Sequence, residues 1–191
     1  MRSSVKVSQD YTQYEHETPC PSLDDVHRRI GRNIHKLQGI EKALKVILPL
    51  LSRTGDVNDP KAALLRANKR FERATLGNLC KEYCGTIAHD FEKPECQLNP
   101  GQFSIRFGFD YYDDVESKLR SSLDMLVHNR NRLIHHLDED LDWRCNESRS
   151  EYSAWLDSEY QKIEELSEHL KNIGKAIPTI YENALRAIED I

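Results

Sequence analysis

Val127-His128-Asn129-Arg130-Asn131-Arg132-Leu133-Ile134-His135-His136-Leu137 decides what kind of fold this chain can adopt and where its chemistry would lie. Three histidines and two arginines sit in a run whose apolar residues return at helical spacing. The spacing predicts a helix reaching to about Leu137, opened by Asp110 and Asp113 as capping residues. Projected at about 100° per residue, Val115, Leu119, Leu123, Leu126, Val127, Leu133, Ile134 and Leu137 fall in one arc of roughly 120°. Arg130 projects into the middle of that arc. A guanidinium at a core position is costly unless it is paired or reaches a cleft or an interface.

A polar edge adjoins the stripe. Arg120, Asp124, His128, Asn131 and His135 project within about 80° of one another. Asn131 and His135 are i,i+4 neighbours, a spacing at which the amide orients the imidazole. Arg130 and His135 lie roughly 140° apart, so one helix does not stack them on a single face. The geometry favours a composite site, completed by a bend in the helix end, by Arg130 curling, or by a second subunit. Arg132 and His136 fall outside both arcs, as accessory or solvent-facing groups. A structural role stays open beside the chemical one, because basic residues at a helix end also compensate the dipole and bond its free carbonyls.

Outward from this helix, the chain reads as a mostly helical bundle. Residues 1–20 are polar and aperiodic, a flexible tail, and residues 21–191 form a single helical domain. Ser22 and Asp25 have the spacing of an N-terminal cap. Behind them Val26, Ile30, Ile34, Leu37, Ile40, Leu44, Ile47, Leu48 and Leu51 mark a long helix ending between Pro49 and Ser52. Thr54 to Asn58 is loop chemistry. Asp59-Pro60 opens a second helical region, with a break near Thr75-Leu76-Gly77. Pro94, Asn99, Pro100 and Gly101 force a loop. Phe103 to Phe109 alternates with a period of two, a short strand whose partner the sequence does not reveal. Ser148 and Glu151 have the spacing of a capping box for the last helix, which Gly174 and Pro178 bend or end before a final piece, Thr179 to Ile191. The expected class is all-α: four to five helices with a short β insertion near residues 102–109.

Composition narrows the function. A formal charge of -5 argues against sequence-blind coating of nucleic acid, though not against a local basic site. No apolar run is long enough to span a bilayer, and the first ten residues lack the core of a signal peptide, so a cytoplasmic location without a membrane partner is expected. Five scattered cysteines read as reduced thiols. Cys80, Cys84, His89 and Cys96 lack the paired spacing of a structural zinc site. The aspartates from Asp138 to Asp142 do not match a calcium loop, and His135-His136 lacks a matching carboxylate pattern. No metal and no cofactor is expected, and there is no phosphate loop or nucleophile elbow.

Arg130-Asn131-Arg132-Leu133-Ile134-His135 resembles the Arg-x4-6-His signature of the HEPN superfamily, in which a polar residue, commonly asparagine, follows the arginine. The signature of that family lies near the end of a late helix in an all-α bundle, as it does here. The resemblance implies a metal-independent endoribonuclease working as a homodimer with two motifs across one cleft. Arg130 and His135 would be the catalytic pair, Asn131 would support them, and His128, Arg132 and His136 would flank the substrate. The implied substrate is RNA, whose own 2′-hydroxyl is the nucleophile. The implied setting is that of a toxin or a phage-defence effector with an antitoxin or defence-system partner. Members paired with a nucleotidyltransferase antitoxin carry tyrosine two residues after the histidine. Leu137 stands there, which argues against that partnership. Other members are inactive modules for binding or dimerisation, the second function class that the signature implies.

Overall fold

The computed structural model describes residues 20–87, 98–107 and 113–189. Helix α1 (Leu23–Leu51) is the axis of the fold. It starts where the sequence places it: the Ser22 hydroxyl accepts from the Asp25 amide at 3.1 Å, and the Asp25 carboxylate accepts from the Ser22 amide at 3.3 Å. Two orphan amides are satisfied by one reciprocal pair. The apolar stripe of α1 is buried from Val26 to Leu51, and the helix runs through Pro49.

Its main partner is α6, a single 44-residue helix, Asn146–Glu189. Leu156, Ile163, Leu166, Leu170, Ile173 and Ile177 close against the α1 stripe in one continuous core. Asn33 crosses this seam, its amide donating to the carbonyls of Arg29 and Leu156 at 3.0 and 3.1 Å. Gly174 and Pro178, expected to bend or end the helix, do not end it. The helix interior loses about 1 kcal/mol at the glycine and about 3 kcal/mol at the proline. Burial of Ile173 and Ile177, and the Tyr181 hydroxyl donating to the Leu50 carbonyl at 2.7 Å, hold the stripe together across both. The helix also begins earlier than the Ser148–Glu151 spacing implies. The Ser148 hydroxyl accepts from the Asp142 amide at 3.0 Å, fastening the preceding loop instead of capping α6.

Between α1 and α4 (Asp113–His135) come α2 (Pro60–Glu72) and α3 (Leu76–Ile87). Asp59 caps α2, accepting from the Ala62 amide at 3.0 Å with Pro60 in the first turn, and Thr75 caps α3. A four-residue helix, α5 (Leu137–Asp140), occupies the acidic loop after α4. Six helices therefore stand among the described residues, one more than the upper expectation, because that loop winds into a turn. The expected caps at the start of α4 include Asp110, which lies outside the described residues, as do residues 1–19 of the expected tail.

The strand expected near residues 102–109 is β2 (Gln102–Arg106), and its partner is β1 (Ser52–Asp56). The pairing is antiparallel, with Thr54 opposite Ser104. Residues 54–56 were expected as loop, since Ser-Arg-Thr-Gly-Asp has little intrinsic strand preference. Tertiary contact overrides that weak preference. Gly55 faces inward, where a Cβ would collide with the Ala63 methyl and crowd the Phe103 ring. The glycine that looks like a turn residue is there for close approach of strand to helix.

Candidate functional site

Helix α4 carries the motif and is flanked by clefts on two sides. Toward α3 it is fastened by Arg120, which pairs with Glu116 at 2.9 Å and donates to the Cys84 carbonyl at 3.4 Å. Leu123, Leu126 and Leu133 enter the core, as the projected arc requires. Val115 and Ile134, at the margins of that arc, are exposed. The buried face of α4 is thus rotated toward α6 relative to the apolar arc, and it takes in Asn129.

Arg130 is half-buried and faces a groove of about 430 Å³ between α1 and α4. Leu37, Gln38, Lys42, Lys45, Leu76 and Ile134 line it together with Arg130. The guanidinium Nη1 donates to Asn131 Oδ1 at 3.2 Å, so these two motif residues meet. Lys45 pairs with Glu41 at 2.8 Å along the same wall. Three basic side chains against one acidic one give the groove a local positive balance in a chain of negative net charge. Such a groove can hold a phosphate.

His135 is the last residue of α4, exposed, with no side-chain hydrogen bond or ion pair to another described residue. Five residues along an ideal helix separate it from Arg130 by about 7.5 Å of rise and roughly 140° of rotation. No bond joins the two. His128 and Asn131 are also exposed on the outer side.

Arg132 and His136 have other work. Arg132, expected to be accessory or solvent-facing, is half-buried: its Nε donates to Asp140 Oδ2 at 2.6 Å, and its guanidinium lies 4.3 Å from the centroid of the Trp155 ring. It clamps the end of α4 to α5 and α6 through a charge-assisted bond and a cation–π contact. His136 stands at the start of α5 with its Nδ1 2.9 Å from Glu139 Oε2, a contact between side chains.

The sequence reasoning passed over a second polar pair on α4 and α6. Asn129 and Glu159 are 5% and 4% exposed, and the Asn129 amide donates to the Glu159 carboxylate. Lys162 donates to the other carboxylate oxygen at 2.7 Å. The signal was present. Asn129 lies three after Leu126 and four before Leu133, and Glu159 lies three after Leu156 and four before Ile163. Each polar residue interrupts an apolar stripe at the same phase as Arg130 does its own.

Of the imagined zinc set, His89 and Cys96 lie outside the described residues. Cys80 is buried, and desolvation, with lesser contributions from Cys84 and Asp124, pushes its thiol up to about 12. Cys84 is pushed up by burial as well. A thiol raised in this way is a poor nucleophile. Among the described residues no three histidine, cysteine or acidic side chains stand close enough to share a metal ion. Among the described residues no helix is long and apolar enough to cross a membrane. Compared with protein-family models, curated proteins and solved structures, the chain matches none of them.

Proposed function

We propose that this protein is a metal-independent endoribonuclease of HEPN type, acting as a homodimer on RNA in the cytoplasm. The observation that carries the reading is the setting of Arg130: half-buried at a basic groove, hydrogen-bonded to Asn131, on the helix that ends in an accessible histidine. In this reading a phosphodiester lies against Arg130, with Lys42 and Lys45 neutralising the neighbouring backbone charge. The substrate's 2′-oxygen attacks the adjacent phosphorus. A new O–P bond forms, the bond to the 5′-oxygen breaks, and the products are a 2′,3′-cyclic phosphate and a 5′-hydroxyl. His135 accepts the 2′ proton or donates one to the leaving oxygen, because imidazole exchanges protons near neutral pH. Arg130 stabilises the charge on the phosphoryl oxygens.

In this reading a second copy completes the site, since Arg130 and His135 lie roughly 140° apart on one helix. The histidine of one protomer serves the arginine of the other across the dimer cleft, and Ile134, 45% exposed beside Arg130, supplies an apolar contact for that interface. The cellular role in this reading is that of a toxin or phage-defence effector restrained by an antitoxin or a partner of its defence system. The non-catalytic reading is favoured by a different observation: Arg132 and His136, two of the basic groups in the motif region, already hold structural partners. There the stretch is a dimerisation or binding module.

Incubation of the purified protein with mixed RNA in excess EDTA separates the two. Cleavage that is lost in both Arg130→Ala and His135→Ala, with helicity and dimerisation retained, supports the nuclease. An absence of cleavage together with normal growth of a bacterial host expressing the protein supports the module.

A further inference from the structure

On the α6-facing side of α4, a cleft of about 220 Å³ opens between α4 and α6, sharing Leu37 with the basic groove. Its walls are apolar, built from Leu126, Leu133, Ile163 and Leu166, with Met125 at the exposed rim. Its polar part is the Asn129–Glu159 pair already described, with Lys162 beside it. We propose that this cleft binds a small apolar amine, with the ammonium on the Glu159 carboxylate and the hydrocarbon body between Leu126, Leu133 and Ile163. This goes beyond the nuclease reading and does not depend on it.

The carboxylate specifies the head group. An ionised carboxylate offers about four acceptor sites. Asn129 and Lys162 each donate to one oxygen, which leaves capacity on both. Lys162 reaches Glu159 Oε1 at 2.7 Å from a side chain that is 56% exposed, so it can swing into water and yield its place to an incoming ammonium. A carboxylate buried in apolar walls is unfavourable until its charge and lone pairs are met. An ammonium brings one positive charge and three donors. A phosphate or carboxylate ligand would be repelled.

The walls specify the body. A dry cavity of about 150 Å³ accepts benzene, so this cleft takes one ring and a short amine-bearing chain. A hydrophilic polyamine would leave the leucine and isoleucine walls unmatched, and the adaptable thioether of Met125 can close over a ring.

The probe is 2-phenylethylamine, measured by calorimetric titration and by the shift in thermal midpoint, beside 2-phenylethanol and 3-phenylpropanoate. Saturable binding of the amine is expected, with a midpoint that rises as the free amine exceeds its dissociation constant. The alcohol is expected to bind about tenfold or more weakly, and the acid not at all. Glu159→Gln should weaken the amine by about ten- to hundredfold. Ser122→Trp, placed at the exposed mouth, should block the cleft while leaving the core untouched, and it carries the test if Glu159→Gln fails to fold. Absence of binding by the amine, binding of the alcohol as tight as that of the amine, or amine binding unchanged in a folded Glu159→Gln or Ser122→Trp protein overturns the proposal.

Discussion

The α1–α6 seam and the flanks of α4 are made of similar side chains and are closed to very different degrees. Along the seam, leucines and isoleucines of both helices join one buried core that extends from Val26 to Ile177. Its solvent edge is laced by Arg29 and Arg32 on Asp157, by Lys36 on Glu164 at 2.5 Å, and by the Arg32 guanidinium 3.9 Å from the Tyr160 ring centroid. Helix α4 touches the same two helices sparingly and leaves a cleft on each side. Polar residues explain the difference. The seam admits one buried amide, Asn33, whose two donors are both used. Helix α4 turns Asn129 toward one neighbour, where it is buried only by pairing with Glu159, and leaves Arg130 half-buried toward the other. The seam is therefore scaffold, and the loosely enclosed helix is where ligands can enter.

Four experiments would break or sharpen that contrast. The largest effect belongs to the motif. In the nuclease reading, Arg130→Ala or His135→Ala lowers the rate of RNA cleavage by about 10²–10⁴-fold. The unfolding midpoint in urea stays nearly unchanged for His135→Ala, because that side chain has no described partner. A large stability loss in His135→Ala would move the residue from the site into the scaffold. Next comes the seam. Leu44 is fully buried, and Leu44→Ala should cost about 2–5 kcal/mol by denaturant titration. Val115→Ala on the exposed flank of α4 should stay within about 0.5 kcal/mol. Equal losses would erase the distinction drawn above.

Asn129→Ala should fall between them. It removes one donor from a buried carboxylate, and a loss of about 1–3 kcal/mol is expected by the same titration. The smallest effect is on pH dependence. Burial holds the His169 imidazole below its usual value of 6.5, with its Nε2 3.1 Å from the Tyr83 hydroxyl. Below pH 6.5 the unfolded chain takes up this proton more readily than the folded one, so stability declines with falling pH until the lowered folded value is passed. Above 6.5 the site contributes no slope. His169→Gln should flatten the acid side of a plot of stability against pH, and an unchanged slope would remove His169 as its source.

Much of the helical frame was legible in local chemistry. Ser22 with Asp25, Asp59 with Pro60, and Thr75 each mark a helix start that the structure keeps, because a cap is a contact within four residues. Features that depend on distant partners were not legible. Ser52–Asp56 pairs as a strand only because Gln102–Arg106 is brought beside it. Helix α6 passes Gly174 and Pro178 only because α1 offers a continuous surface to pack on. At the candidate site, the cleft position of Arg130 followed from one misplaced charge in an apolar arc. Finding the Asn129–Glu159 pair required knowing that the α4 and α6 stripes face each other, which periodicity within either helix does not say.

The β1–β2 pairing also sets an order of events in folding. Thr54 and Ser104 meet across 50 positions of sequence. Closing a loop of that length costs about 3–4 kcal/mol in chain entropy, and an isolated two-stranded ladder is at best marginally stable. The ladder is therefore expected to form after α2 has docked, when Ala63 and Phe103 can close around Gly55. Amide hydrogens of Ser52–Asp56 and Gln102–Arg106 should exchange through local opening, well before those of the α1–α6 seam, which exchange only when the whole molecule unfolds.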